Sequence, residues 1–218
     1  MFKSLHVLLF SFLVLACAKK QQQTEVVKPT KIPAKKVAEV LSPKKKDDKS
    51  ANINWDAEAY MVNFSPEQEE KVREAIKILK TVITSVEFKE RVISYSYNGS
   101  GKFFDNHGFT NEEIYQIILD GAEKMGNTSK NNTMDVELEL YHQKTNTIGY
   151  TYPNTVRIWM NTKYFNKYTP VKVADNLMHE WMHKLGFTHA TVWSKERDHS
   201  VPYAIGYLVE ELAEKLVK

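Results

Sequence analysis

Residues 179–189 read His-Glu-Trp-Met-His-Lys-Leu-Gly-Phe-Thr-His, and the rest of the chain is best read outward from them. A helix turns about 100° per residue, so His179 and His183, four apart, stack on one face. Their imidazoles can converge on a single metal ion. Glu180, the next residue along, lies on the flank of that face, beside the ion rather than on it. Gly186 accepts the left-handed conformation that ends helices, which lets the chain turn back and bring His189 in as a third nitrogen. Three protein ligands leave the fourth position of a tetrahedral zinc ion open, the arrangement of reactive rather than purely structural sites.

The surrounding residues suit such a helix. Ala174, Leu177, Met178, Trp181 and Leu185 form an apolar stripe turned away from the histidines. Thr169-Pro170 supplies an N-cap and a first helical position. The helix is therefore expected over about 170–185.

The stretch H-E-x-x-H-x-x-G-x-x-H resembles the zinc signature of the metzincin clan of metallopeptidases. The resemblance implies His179, His183 and His189 as zinc ligands, Glu180 as general base, one catalytic Zn2+, and a peptide or protein substrate. It also implies a methionine-bearing turn beneath the metal. No methionine follows Met182 here; the corresponding segment is Ser200-Val201-Pro202-Tyr203. Either Pro202 or Tyr203 stands in for the floor of the site, and Tyr203 is a candidate hydrogen-bond donor to an oxyanion. The closest description is a small, divergent bacterial lipoprotein family of zincin type. Two rivals use the same residues: an amidase acting on cell-wall peptides, and a non-catalytic surface lipoprotein that binds zinc.

Upstream, Ser65-Pro66-Glu67-Gln68 opens a helix with a capping-box pattern, followed by Val72, Ile76, Leu79 and Ile83 at helical spacing. A short helix is expected around Phe88 and Val92, then a turn at 98–101. Thr110-Asn111-Glu112-Glu113 opens another helix, with Ile114, Ile117, Ile118 and Gly121 inward. From 133 to 142 the period becomes two: Met134, Val136, Leu138 and Leu140 alternate with acidic residues and Tyr141, a half-buried strand. Strands over 148–152 and 156–160 flank Pro153-Asn154. A last helix is expected over 200–216, with Ile205, Leu208, Val209, Leu212 and Leu216 buried.

Helices, strands, the motif helix and a final helix make an α+β domain. The resemblance implies a zincin-like version with a small mixed sheet. In peptidases of that type the strand before the metal helix usually edges the sheet above the cleft, which here would be 156–160. An exposed edge offers unpaired backbone groups to an extended peptide.

The N-terminus reads as a targeting segment. Lys3 is followed by a mostly apolar stretch, His6 to Ala16, too short to span a bilayer. Val14-Leu15-Ala16-Cys17 resembles a bacterial lipobox. Residues 1–16 would be the signal peptide, with cleavage before Cys17 and lipid attached to it. Ala18, not aspartate, implies sorting to the outer membrane of a Gram-negative envelope. Lipidation anchors a chain without making it span.

Residues 18–50 hold ten lysines, four acidic residues, prolines 29, 33 and 43, and no aromatic residue. With little apolar surface to offset chain entropy, 17–50 reads as a tether and 51–218 as the folded domain. Residues 1–50 carry eleven lysines against four acids, +7, so the overall +3 leaves −4 for 51–218. The basic balance belongs to the tether and does not indicate nucleic-acid binding. Cys17 is the only cysteine, so the domain has no internal disulfide and relies on core burial and the metal.

Among the remaining candidates, Asn176 lies one turn before His179 and is expected to line the cleft. Asp198 and His199 are candidates for an outer contact or a substitute ligand. His107 and His142 lack partner spacing and are expected on the surface or in structural roles. The Asn-x-Ser/Thr sequons at 98, 127 and 131 are read as incidental.

Overall fold

The alternation at 133–142 builds the centre of the sheet. In the computed structural model, which describes residues 53–126 and 128–216, Thr133–Tyr141 is strand β2. Its inward side chains, Met134, Val136, Leu138 and Leu140, are all buried. The signal peptide, Cys17, the tether and the sequon at 127 lie outside the described residues. No helix among the described residues is long and apolar enough to cross a membrane.

The sheet has four strands in the order β1-β2-β4-β3, with β1 Asp56–Val62, β3 Gly149–Thr151 and β4 Arg157–Asn161. The first two pairings are parallel and β3 runs antiparallel to β4, so the sheet is mixed. Ala57, Ala59 and Met61 sit opposite Met134, Val136 and Leu138. Leu138 and Leu140 face Ile158 and Met160 across the next pair.

Two expectations are corrected here. Strand β1 is absent from the sequence reading. Its inward face is Ala57, Ala59 and Met61, following Trp55 just before the strand, and the two alanines carry too little apolar signal to mark a strand. Strand 156–160 is not an edge. Residues 152–155 fold β3 back antiparallel onto β4, and β2 occupies the other side, so β4 is paired twice. The edge beside the cleft is β3.

The helices are α1 (Pro66–Ile83), α2 (Val86–Ile93), α3 (Asn111–Asp120), the short α4 (Thr162–Phe165), α5 (Pro170–Lys184) and α6 (Val201–Leu216). Local chemistry starts and stops them. Ser65 with Gln68 and Thr110 with Glu113 form complete capping boxes. Helix α3 ends on Gly121 at φ 65°, where an added Cβ would stand 2.3 Å from the Thr133 carbonyl oxygen. Only glycine fits both that conformation and that approach.

The motif helix α5 runs through the middle of the core, packed against α6 and α1. Thr169 caps it and Pro170 opens it. The expected stripe is buried throughout: Ala174, Leu177, Met178 and Trp181 fully, Leu185 nearly so. Trp181 meets Trp55 edge to face at 5.8 Å, a pairing worth about 0.5–1.5 kcal/mol beyond area burial. Its indole N–H donates to the buried Glu123 carboxylate at 2.7 Å.

Helix α6 buries Ile205, Leu208, Val209 and Leu212 as expected, together with Ala213. Leu216, expected on the same face, is exposed.

Candidate metal centre

The end of α5 shows how the three histidines meet. Gly186, at φ 101°, lets the amides of Gly186 and Phe187 bond back to the carbonyls of His183 and Met182 at 3.1 and 3.0 Å. This is a Schellman turn, which closes the helix and reverses the chain. Phe187 is buried as a result, and His189 comes back alongside α5. His107 holds the returning segment through the Thr188 hydroxyl at 2.9 Å, a structural role.

The ring centres of His179, His183 and His189 lie 4.9–5.1 Å apart. One ligand atom from each falls within 4.8 Å of the others. Backbone carbonyls orient the rings. His183 Nδ1 lies 2.7 Å from the Phe187 oxygen and His189 Nδ1 lies 2.9 Å from the Ala190 oxygen. A carbonyl only accepts, so each Nδ1 carries the proton and each Nε2 presents a bare lone pair. His179 makes a backbone hydrogen bond to Pro202, which has no N–H and therefore accepts through its carbonyl.

This leaves His179 Nε2 and His189 Nε2 facing each other at 3.2 Å, both as acceptors. Two lone pairs at that distance call for a positive charge between them. A proton is poorly suited. Burial, helped by the neighbouring positive charges, pushes His179 far below the usual histidine range, and burial brings His183 down to about 4. A metal ion suits the donor set. Zinc–nitrogen bonds of about 2.0–2.1 Å in a tetrahedron set ligand nitrogens roughly 3.3 Å apart. The His179–His189 spacing matches that value, and the three imidazoles together could hold a metal ion.

Glu180 lies beside this group, buried at 4 % exposure and on the cleft wall. Burial pushes its carboxyl up to about 8, partly opposed by the Lys184 ammonium one turn on. Lys184 is itself buried, and burial brings it down to about 8. Its ammonium donates to the carbonyls of Tyr152 and Thr155, at the two ends of the β3–β4 turn.

Pro202 and Tyr203 both lie against the histidines. Pro202 supplies the carbonyl for His179, and the Tyr203 ring packs 4.3 Å from the His179 ring and 4.7 Å from the His189 ring.

The histidines and Glu180 open into a cleft of about 910 Å³ between α5 and β3. Asn176 lines it as expected, along with Gly149 and Tyr150 of the edge strand, Arg197 and Tyr203. Gly149 makes room for this wall. A Cβ there would stand 2.9 Å from Asn176 Oδ1, 3.1 Å from the Trp159 oxygen and 3.2 Å from Glu180 Oε1.

Asp198 and His199 stay outside the triad. His199 Nδ1 bonds the Tyr95 hydroxyl at 2.7 Å and its ring packs on Tyr97. His142 bonds the Thr162 hydroxyl. Gly149 and Arg197 of the cleft, and Lys184 behind it, escaped the sequence reading. Lys184 directly follows the motif, but only the fold reveals what it holds. Arg197 opens a three-residue 3₁₀ turn, too short to leave a periodic signal.

No protein-family model matches this chain, and neither a curated protein nor a solved structure shows significant similarity to it.

Proposed function

We propose that this chain is a zinc-dependent peptidase of zincin type, similar to the metzincins, tethered to a bacterial envelope by lipid on Cys17. One observation carries the reading: three partly buried imidazoles, tautomers fixed by backbone carbonyls, turn bare Nε2 atoms toward one point in an open cleft beside a buried carboxylate. A purely structural zinc site has a closed ligand set and no use for such a carboxylate.

His179, His183 and His189 hold the ion. When bound, zinc supplies Lewis-acid polarisation of a peptide carbonyl and lowers the pKa of water to about 7. Glu180 takes the proton of the attacking water on a carboxylate oxygen and passes it to the departing amine nitrogen. A divalent charge beside Glu180 offsets its burial and returns the carboxyl toward its ionised form, as a base requires. Tyr203, packed against two ligand rings, is assigned to hydrogen-bond the developing oxyanion. The edge of β3 lies along the cleft, where it offers backbone groups to an extended substrate.

Glu180→Gln separates chemistry from binding. The substitution keeps size and hydrogen bonding but removes the base, so the purified variant should fold and retain zinc while peptide hydrolysis falls about 10²- to 10⁴-fold. Undiminished hydrolysis would refute the assigned role. Zinc binding by the parent without cleavage across a broad peptide library would favour the non-catalytic lipoprotein. Turnover confined to peptidoglycan would favour the cell-wall amidase.

A further inference from the structure

We infer that Arg197 receives a carboxylate of the substrate, one or two residues from the bond that is cut; this rests on the peptidase reading above. The chain has four arginines. Three are engaged by carboxylates: Arg73 by Glu69 and Glu70, Arg91 by Glu211, and Arg157 by Glu137 and Glu139. Arg197 is the exception, with no carboxylate in ion-pair range among the described residues. It is also the one that lines the cleft.

Its position is fixed. Arg197 opens a short 3₁₀ turn, Arg197–His199, whose first amide bonds the Ser194 hydroxyl. The guanidinium carbon lies 4.5 Å from the centre of the Tyr203 ring. That same ring packs against His179 and His189. One aromatic ring therefore separates the guanidinium from the ligand histidines. Arg197 Nε is buried and has no hydrogen-bond partner. A buried donor left unpaired is costly, and a guanidinium fork matches a carboxylate with two parallel hydrogen bonds.

Charge points the same way. The positive charge of Arg197 is felt at His179 and His189. A second cation held by those histidines would add repulsion, which an anion seated on Arg197 relieves. An extended peptide advances about 3.3–3.6 Å per residue, so a neighbour of the histidines one ring away meets substrate groups one or two residues from the reacting carbonyl. The carboxylate is either the chain terminus or an Asp or Glu side chain.

The test uses the full-length protein, with and without zinc, and two pairs of probes. N-acetyl-Ala-Ala is compared with its C-terminal amide, and N-acetyl-Ala-Asp-amide with N-acetyl-Ala-Asn-amide, by calorimetry or ligand-observed NMR. At least one acid should bind more tightly than its amide. Arg197→Gln should weaken that acid about 10- to 100-fold and leave the amide unchanged. Arg197→Lys should recover part of the loss, since it keeps the charge but not the fork. The pair that discriminates identifies the source of the carboxylate.

On peptides that the parent cleaves, Arg197→Gln should raise KM for carboxylate-bearing substrates with kcat retained. Equal binding of acid and amide, no binding of any probe, or equal loss for acid and amide in the variant overturns the proposal. So does a fall in kcat that ignores the carboxylate, which would assign Arg197 to charge in the reaction itself. Arg197-dependent binding of an acid without any peptide turnover would sustain the carboxylate site and reject the peptidase reading.

Discussion

Gly149→Ala probes the cleft wall with a single methyl group. The glycine lies in β3 without a positive φ, so alanine is compatible with the backbone and would ordinarily stabilise by about 0.4–1 kcal/mol through the unfolded state. Space decides otherwise. The added carbon would stand 2.9 Å from Asn176 Oδ1, 3.1 Å from the Trp159 carbonyl oxygen and 3.2 Å from Glu180 Oε1. Ordinary carbon contacts begin near 3.5 Å, and two of these three neighbours have little freedom. Trp159 belongs to a strand paired on both sides, and Glu180 is buried. Overpacking of this kind costs about 1–3 kcal/mol. Set against the unfolded-state gain, a net loss of roughly 1–2 kcal/mol is expected, or about 2–8 °C in melting temperature for a domain of this size. Relief requires Asn176 or Glu180 to move, and displacement of a catalytic group by about 1 Å can cost 10²-fold in rate. The variant should therefore bind zinc normally, melt lower, and hydrolyse peptide far more slowly. Removing the closest neighbour as well, in Gly149→Ala with Asn176→Ala, should recover part of both losses. A Gly149→Ala protein with unchanged melting temperature and turnover would refute the packing argument.

The other expectations are simpler. His189→Ala should lower zinc affinity measured by competition with a chelator; parent-like affinity would show that the third ligand lies elsewhere. Cys17→Ser, at a position outside the described residues, should abolish lipid labelling and move the protein from the membrane to the soluble fraction; an unchanged distribution would reject the anchor. Hydrogen bonds from Arg91 and Lys215 hold the Glu211 carboxyl down at about 2. A depressed carboxyl contributes stability above its unfolded value, near 4.3–4.5, and loses it as pH falls toward 2. The group is largely exposed, so the contribution should stay below about 1 kcal/mol. Glu211→Gln should lose a little stability at pH 6 and none at pH 2, by denaturant titration; an equal loss at both would show that the ion pair is not its source.

The sequence carried most clearly what local geometry dictates. The stripe from Ala174 to Leu185 and the alternation from Met134 to Leu140 each report one face of one element, and both faces are buried. Capping chemistry at Ser65, Thr110 and Thr169 marked helix starts because those hydroxyls act within three residues. The triad itself was legible because helix pitch and one glycine suffice to bring its members together. Legibility failed where the cause lies far along the chain. Strand β1 uses alanines, which carry little apolar surface, and it is placed by pairing with β2, far along the chain. The pairing of β4 depends on how a four-residue turn folds. Nothing near Arg197 in sequence indicates that its fork lacks a carboxylate.

Lys184 gives the cleft a mechanical character. The helix that carries His179, Glu180 and His183 also grips the carbonyls of Tyr152 and Thr155, and those carbonyls end the turn from which the edge strand returns. Both jaws of the cleft are thus rungs on one frame. A single lysine side chain ties one jaw to the other at the turn, so the helix and the edge strand are joined there by more than the backbone alone.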